Sequence, residues 1–268
     1  MKRKIAIISL LIIMVAALLT ACGSGNENKK STDSGNTAGA KQTLVIGIDD
    51  AFAPMGFRNE NNEIVGFDID MARKAAEYMG VEVKFQPIDW STKEAELDSG
   101  RIDLIWNGYT ITEERKEKVL FTKPYLKNAQ VVVTLKDSPI TKIDELAGKQ
   151  VGIQALSSAV DALNAHPVSK KVSLNEYKDN ILALTDLKAG RVEAVVLDKV
   201  VAEYYMTKEP GTFKMLEEAL APEEYAVGVK KGNEELLNKL QAALDKMVED
   251  GTAAEISKKW FGEDVVLK

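Results

Sequence analysis

Leu97-Asp98-Ser99-Gly100-Arg101-Ile102-Asp103-Leu104-Ile105 returns ninety residues later as Leu187-Lys188-Ala189-Gly190-Arg191-Val192-Glu193-Ala194-Val195. Each copy reads as the end of a helix, a glycine that closes it and a buried strand. A second pair keeps the same order: Ile46-Gly47-Ile48-Asp49 is echoed by Val151-Gly152-Ile153-Gln154. One such echo is weak, because Gly-Arg before a strand is common. Two in the same order predict a duplicated architecture.

The surroundings agree. Leu44 to Ile48 predicts a buried strand, and Asp68 to Met79 predicts a helix with Met71, Ala72, Ala75, Ala76 and Met79 on one face and Gly80 at its C′ position. Val81 to Phe85 predicts a strand, a shorter helix ends near Ser99-Gly100, and Ile102 to Trp106 predicts a third strand. Strands alternating with helices give parallel sheets. Near the end, Leu236, Leu237, Leu240, Ala243, Leu244, Met247 and Val248 form an apolar helical stripe that Gly251 ends, and that stripe is expected in the core. Open α/β sheets hold ligands beyond the carboxyl ends of their strands. That rule selects Asp49, Asn107, Gly108, Gln154 and Asp198, two sets on two lobes facing one cleft.

With 268 residues, 45% of them hydrophobic, the chain can bury two cores. A formal net charge of −6 argues against nucleic acid, which needs clustered Lys and Arg. One cysteine excludes an internal disulfide, an iron–sulfur cluster and a cysteine-based zinc site, and His166 is the single histidine. No metal and no cofactor are expected. Nor does a P-loop pattern occur in the sequence.

The cysteine belongs to the beginning. Lys2, Arg3 and Lys4 precede an apolar run from Ile5 to Leu19, too short to cross a bilayer core of about 30 Å comfortably, so a signal peptide is expected over 1–21. Leu19-Thr20-Ala21-Cys22 resembles the lipobox of bacterial lipoproteins, which implies a lipid on Cys22 and an extracytoplasmic, membrane-anchored protein. Two acyl chains suffice for stable anchoring. Residues 23–42 carry no branched aliphatic, Met or aromatic side chain, so 22–42 is expected to be a flexible tether.

A free amino acid makes three demands on a site. Its carboxylate wants a guanidinium and backbone N–H groups, its ammonium an unpaired carboxylate, its stem flat aromatic walls. Thr110 and Arg115 stand around a predicted helix start, Asp198 follows a strand, and Phe52 and Trp90 lie in loops. Each alone is as well explained by a solvated helix, an N-cap or a core rim. Together they form a set.

At these residues the chain resembles the extracellular solute-binding proteins of polar amino-acid ABC transporters. The likeness is carried by Gly47-x-Asp49-x-x-Phe52-Ala53-Pro54, Val65-Gly66-Phe67-Asp68-Ile69-Asp70, Trp106-Asn107-Gly108-Tyr109-Thr110-Ile111-Thr112-x-x-Arg115, Phe121-Thr122-x-Pro124-Tyr125, Leu146-x-Gly148-Lys149-x-Val151-Gly152 and Asp250-Gly251-Thr252. It spans Thr43 to about Gly262. The resemblance implies the type II periplasmic-binding-protein fold: two α/β lobes joined by two crossover strands, placed near Val131–Val133 and Ala226–Gly228. Lobe 1 would be 43–130 with 227–268, and lobe 2 would be 131–226.

By the same resemblance Arg115 and Thr110 hold the ligand carboxylate with N–H groups near Ser157 and Ser158. Asp198 and the Gly108 carbonyl take the ammonium, Phe52 and Trp90 enclose the stem, and Asp49, Asn107 and Gln154 meet the side chain. Leu156 stands where the family expects glycine. The implied ligand is a polar L-amino acid, glutamine-like or basic, or cystine. The implied partners are an ABC permease with a separate ATPase, and the protein is expected to be a monomer and not an enzyme. Two alternatives stay open. A dehydratase-like enzyme on the same fold would need a positioned acid or base, for which Glu60 and Glu63 are the candidates, His166 having no evident partner. A sensing or adhesive surface lipoprotein would need an exposed partner-binding face.

Overall fold

A computed structural model describes residues 41–268. The expected signal peptide, the lipid attachment at Cys22 and the tether through residue 40 lie outside the described residues. In chain order the first lobe begins with β1 (Thr43–Ile48), β2 (Ala51–Phe52), β3 (Gly56–Arg58), β4 (Ile64–Val65), α1 (Phe67–Met79), β5 (Glu82–Pro87), α2 (Lys93–Asp98), β6 (Leu104–Ile105), α3 (Glu113–Lys118) and β7 (Val119–Phe121). The second comprises β8 (Leu126–Leu135), β9 (Gln150–Gln154), α4 (Ser158–Ala165), β10 (Ser173–Tyr177), α5 (Asn180–Lys188), β11 (Ala194–Asp198), α6 (Lys199–Lys208), β12 (Phe213–Met215) and β13 (Ala221–Tyr225). The chain then returns through β14 (Gly228–Lys230), α7 (Glu234–Glu249) and α8 (Thr252–Phe261).

Two sheets share one plan. In the first, ordered β5-β1-β6-β14-β7, β1 is parallel to β5 and β6, and β14 is antiparallel. In the second, ordered β10-β9-β11-β8-β12, β9 is parallel to β10 and β11, and β8 is antiparallel. The central strands are apolar on both faces, as parallel strands under helices must be: Ile46 and Ile48 in β1, Val151 and Ile153 in β9 and Val195 to Leu197 in β11 are buried.

The sequence repeat is also a repeat of hydrogen bonds. Gly100 and Gly190 take left-handed φ values of +73° and +71°. The next residues fold back onto the preceding helix, Arg101 N–H to Glu96 O at 3.1 Å and Arg191 N–H to Asp186 O at 2.9 Å, and their guanidinium groups pair with Glu96 and Asp186. Two residues on, Asp103 accepts from the Val45 N–H at 2.7 Å and Glu193 from the Gln150 N–H at 2.7 Å. Each carboxylate thus pins the first residues of a central strand to the loop that feeds its neighbour.

α1 closes as expected, with Gly80 at φ +70° and its N–H directed at Ala76 and Glu77 carbonyls. The stripe Leu236, Leu240, Ala243, Leu244 and Met247 is buried, and α7 and α8 pack on α1, so the C-terminal helices rejoin the first lobe. Passage between the lobes is made by the first half of β8 and by β13, paired from Leu126↔Tyr225 to Gln130↔Ala221. These strands run just before Val131–Val133 and Ala226–Gly228, where the resemblance put them: Val131–Val133 already pair with β11 in the second lobe, and Gly228 pairs with β6 in the first. The chain is the two-lobed α/β protein, with two connecting strands, that the sequence leads one to expect.

Candidate functional site

The carboxyl ends of the central strands of both sheets meet where the lobes face each other. Asp49 follows β1, Gln154 ends β9 and Asp198 ends β11. The lobes touch directly there. Gln154 Nε2 donates to Asp49 Oδ2 at 2.7 Å, Ser158 Oγ lies 3.2 Å from Thr110 Oγ1, and Lys93 Nζ donates to the Leu156 carbonyl at 3.0 Å.

Each charged group is buried. Asp49 is 7% exposed; the Ala51 N–H donates to its other oxygen, Oδ1, at 3.0 Å, and burial pushes its carboxyl up to about 6. Asp198 Oδ1 accepts from Tyr225 Oη at 2.5 Å, Asn128 Nδ2 at 2.7 Å and Gln130 Nε2 at 2.9 Å. Burial, then the neighbouring Glu223 carboxylate, raises Asp198 to about 7. Opposite stands Arg115, 6% exposed. Thr112 caps α3 by accepting the Arg115 N–H at 3.1 Å, which turns the Arg115 side chain inward. Its guanidinium lies 4.7 Å from the centroid of the Tyr109 ring, donates from Nη1 to the Thr110 carbonyl at 2.9 Å and approaches Glu94 Oε1 at 3.8 Å.

The other expected residues take varied places. Phe52 packs on the turn at Gly108, where φ is +59° and a Cβ would come within 2.7 Å of the Phe52 ring and 3.1 Å of Tyr225. Trp90 meets Tyr109 edge to face at 6.0 Å and carries Lys93 Nζ 5.3 Å from its centroid. Ser157 Oγ is tied to the Gln154 carbonyl at 2.8 Å, leaving Ser158 as the serine that faces across. Leu156 adopts φ +52°, the left-handed region that glycine would occupy without strain, and its side chain is 60% exposed. Asn107 does not join the group: its Oδ1 lies 1.9 Å from the point a Cβ on Gly56 would occupy, beside Ile69. The Gly108 N–H is engaged by Asp68 Oδ2 at 2.7 Å. A separate groove of about 1310 Å³ opens on the flank between Phe57, Trp260 and Tyr204, and none of the expected ligand residues lines it.

Several residues of the cluster went unpredicted. Glu223 on β13 accepts from Thr110 Oγ1 at 3.0 Å, and Asn128 and Gln130 reach in from β8. Their signal is faint: two amides spaced by two within an apolar strand. Lys93 and Glu94, from α2, complete the set, and burial pulls the Lys93 ammonium down to about 8. Asp68 stands in the sequence in the first helical turn and in the motif Val65 to Asp70, with no role at the site expected of it.

Chemically the cluster offers a guanidinium, two carboxylates and two aromatic rings on the first lobe, facing Asp198 on the second and Glu223 on a connecting strand. The serine hydroxyls are spent on neutral oxygens, and His166 Nδ1 is turned to the Val168 N–H at 3.2 Å. Glu60 and Glu63 are exposed on the turn between β3 and β4. Fold and site define a two-lobed receptor with a polar cleft sized for a small solute.

Residues 44–263 match the family described as bacterial extracellular solute-binding proteins, family 3, and the chain belongs to it. It is 32% identical over 256 residues to the L-cystine-binding protein TcyJ of Escherichia coli K12, covering 94% of this chain and 96% of that one. Identity is also 32%, over 271 residues and 98% of each chain, with the glutamine-binding protein GlnH of an ABC transporter in Bacillus subtilis 168. A substrate-binding protein of an ABC uptake transporter from Streptococcus pneumoniae, solved with bound histidine, superposes with a TM-score of 0.82 at 43% identity, covering 84% of this chain and 95% of that one. These relatives bear out the expected amino-acid-binding component of an ABC transporter, and not an enzyme. Among the described residues no helix is long and apolar enough to cross a membrane.

Proposed function

We propose that this chain captures an amino acid with a cationic side chain and delivers it to an ABC permease driven by a separate ATPase. One observation carries the choice of side chain. The shut cleft gathers four carboxylates, Asp49, Glu94, Asp198 and Glu223, against two cations, Lys93 and Arg115. A zwitterion leaves that imbalance as it is, whereas a third positive charge reduces it. Arg115 and the Thr110 hydroxyl hold the ligand carboxylate, Asp198 takes the ammonium, Phe52 and Trp90 enclose the stem, and Asp49 meets the side chain in the place where the Gln154 amide now donates.

Arg115 and Asp198 come from opposite lobes, so closure completes the grip, and the ligand shifts the hinge by its preference for the closed state. The lipobox-like Leu19-Thr20-Ala21-Cys22 supports anchoring through a lipidated Cys22 at the extracytoplasmic membrane face, where a monomer on its tether reaches the permease.

The test is a thermal-shift panel on the full chain in detergent, unfolded and refolded to strip carried ligand, with every common L-amino acid and L-cystine. At one hundred times its dissociation constant a ligand stabilises by about 2.7 kcal/mol, or about 5–10 °C here. Shifts with L-arginine, L-lysine or L-histidine that exceed the shift with L-glutamine support the reading. A larger shift with L-glutamine or L-cystine reassigns the side-chain site, and a flat panel on folded protein removes the amino-acid assignment.

A further inference from the structure

Asn128 and Gln130 stand two residues apart on β8, on one face of the strand, and each amide nitrogen is shared by two carboxylates. Asn128 Nδ2 lies 2.7 Å from Asp198 Oδ1 and 3.1 Å from Glu223 Oε2. Gln130 Nε2 lies 2.9 Å from each. Oxygens that share two donors belong to one hydrogen-bonded cluster, and there the Glu223 charge opposes ionisation of the buried Asp198.

Glu223 sits on β13, the strand that leads back to the first lobe, and accepts from Thr110 Oγ1 at 3.0 Å. The remaining groups that face the pair are Tyr225, bonded to Asp198, and Arg115, whose charge acts on it from across the cleft; Ser158 adds a neutral hydroxyl near Gln130 Nε2 at 3.3 Å. Gln130 Oε1 is buried with no partner among the described residues, an acceptor in want of a donor beside two acids.

We propose that Glu223 completes the ammonium site with Asp198, and that Asp198 keeps a proton beside Glu223 until the ligand's ammonium displaces it. The inference rests on the assignment of Asp198 to that ammonium. The balance is simple: the proton leaving Asp198 passes to the buffer, and the incoming ammonium supplies the positive charge in its place. Burial and the Glu223 charge both raise Asp198, to about 7, which puts the exchange near neutral pH. Affinity then falls as pH drops through the titration of Asp198, by up to about tenfold per pH unit, because each binding event must first expel a proton. The site also sets specificity, since a ligand without a protonated α-amino group brings no charge to replace that proton.

Calorimetric titration of the full chain in detergent, with L-arginine, L-lysine, L-histidine, L-glutamine and L-cystine, tests this in pairs of buffers whose heats of protonation differ and which both accept protons at the pH used, phosphate and bis-Tris at the acidic end and borate and Tris at the basic end. The expected result is release of about one proton per ligand near pH 6, falling toward none near pH 9. Glu223→Gln, checked by its melting curve, is expected to bind while releasing less than half as much, and Glu223→Asp to restore the release. An Asp49→Asn background removes any proton contributed by Asp49. Equal heats in both buffers, or unchanged release in Glu223→Gln, overturn the proton exchange and leave the binding role of Asp198 standing. Full retention of affinity and release by Asp198→Asn overturns the Asp198 assignment, and no heat from any ligand removes the amino-acid reading; the proposal falls with either.

Discussion

Replacing Arg115 by Met keeps a side chain of similar length over Tyr109 and removes the guanidinium. In the empty protein three contacts are lost: the bond to the Thr110 carbonyl at 2.9 Å, the approach to Glu94 at 3.8 Å and the charge over the Tyr109 ring at 4.7 Å. Glu94 keeps Tyr109 Oη at 2.9 Å and Lys93 Nζ at 3.3 Å, so it is not stranded. The orphaned carbonyl and the lost cation–π contact together destabilise by about 1–3 kcal/mol, a fall of a few degrees in Tm. Binding suffers more. A ligand carboxylate left unpaired in a dry cleft costs about 2–5 kcal/mol, which is about 30-fold to several-thousand-fold in Kd. Because the loss comes from one functional group, a matched ligand pair isolates it: L-arginine and L-argininamide, which lacks the carboxylate. The natural protein should prefer L-arginine strongly, and Arg115→Met should bind both almost equally. A variant that still prefers L-arginine by the natural margin would show that another group holds the carboxylate, and the reasoning from Arg115 would fail.

The remaining expectations concern the frame around the site. Gly108→Ala forces a Cβ to 2.7 Å from the Phe52 ring at a left-handed φ of +59°, so a loss of about 2 kcal/mol or more and weakened binding are expected; unchanged melting would refute the packing described. Leu156→Gly removes a branched side chain from the left-handed region and should raise stability by about 1 kcal/mol, measured by denaturant titration, whereas a clear loss would mean that the exposed leucine packs against something. Burial raises Asp68 from 3.8 to about 7, so the folded chain holds a proton that the unfolded chain has lost, and stability from this group is full below the lower value and declines as pH climbs to the higher one. Asp68→Asn retains an acceptor for the Gly108 N–H and Tyr125 Oη and removes that decline, so its Tm relative to the natural protein should improve between about pH 5 and pH 8.

What could be read from residues alone follows from how local each signal is. The repeat around Gly100 and Gly190 was legible because it encodes one turn of chain: a left-handed glycine, an arginine returning to its own helix and an acid two residues on. Asp49, Gln154 and Asp198 were legible because strand ends in such sheets face the ligand, whatever the rest of the fold does. Asn107 had the same claim and sits under Gly56 instead, since its neighbour Gly108 spends its N–H on Asp68, forty residues away in sequence. Glu223 carried no local mark at all. Its meaning comes from pairing with β8, where Asn128 and Gln130 pass two carboxylates from different strands a common pair of donors. The strands that join the lobes are where sequence says least, because their side chains answer to both lobes at once. For the same reason a charge placed on such a strand answers to both lobes: Glu223 reaches Thr110 of the first lobe and, through the amides of β8, Asp198 of the second.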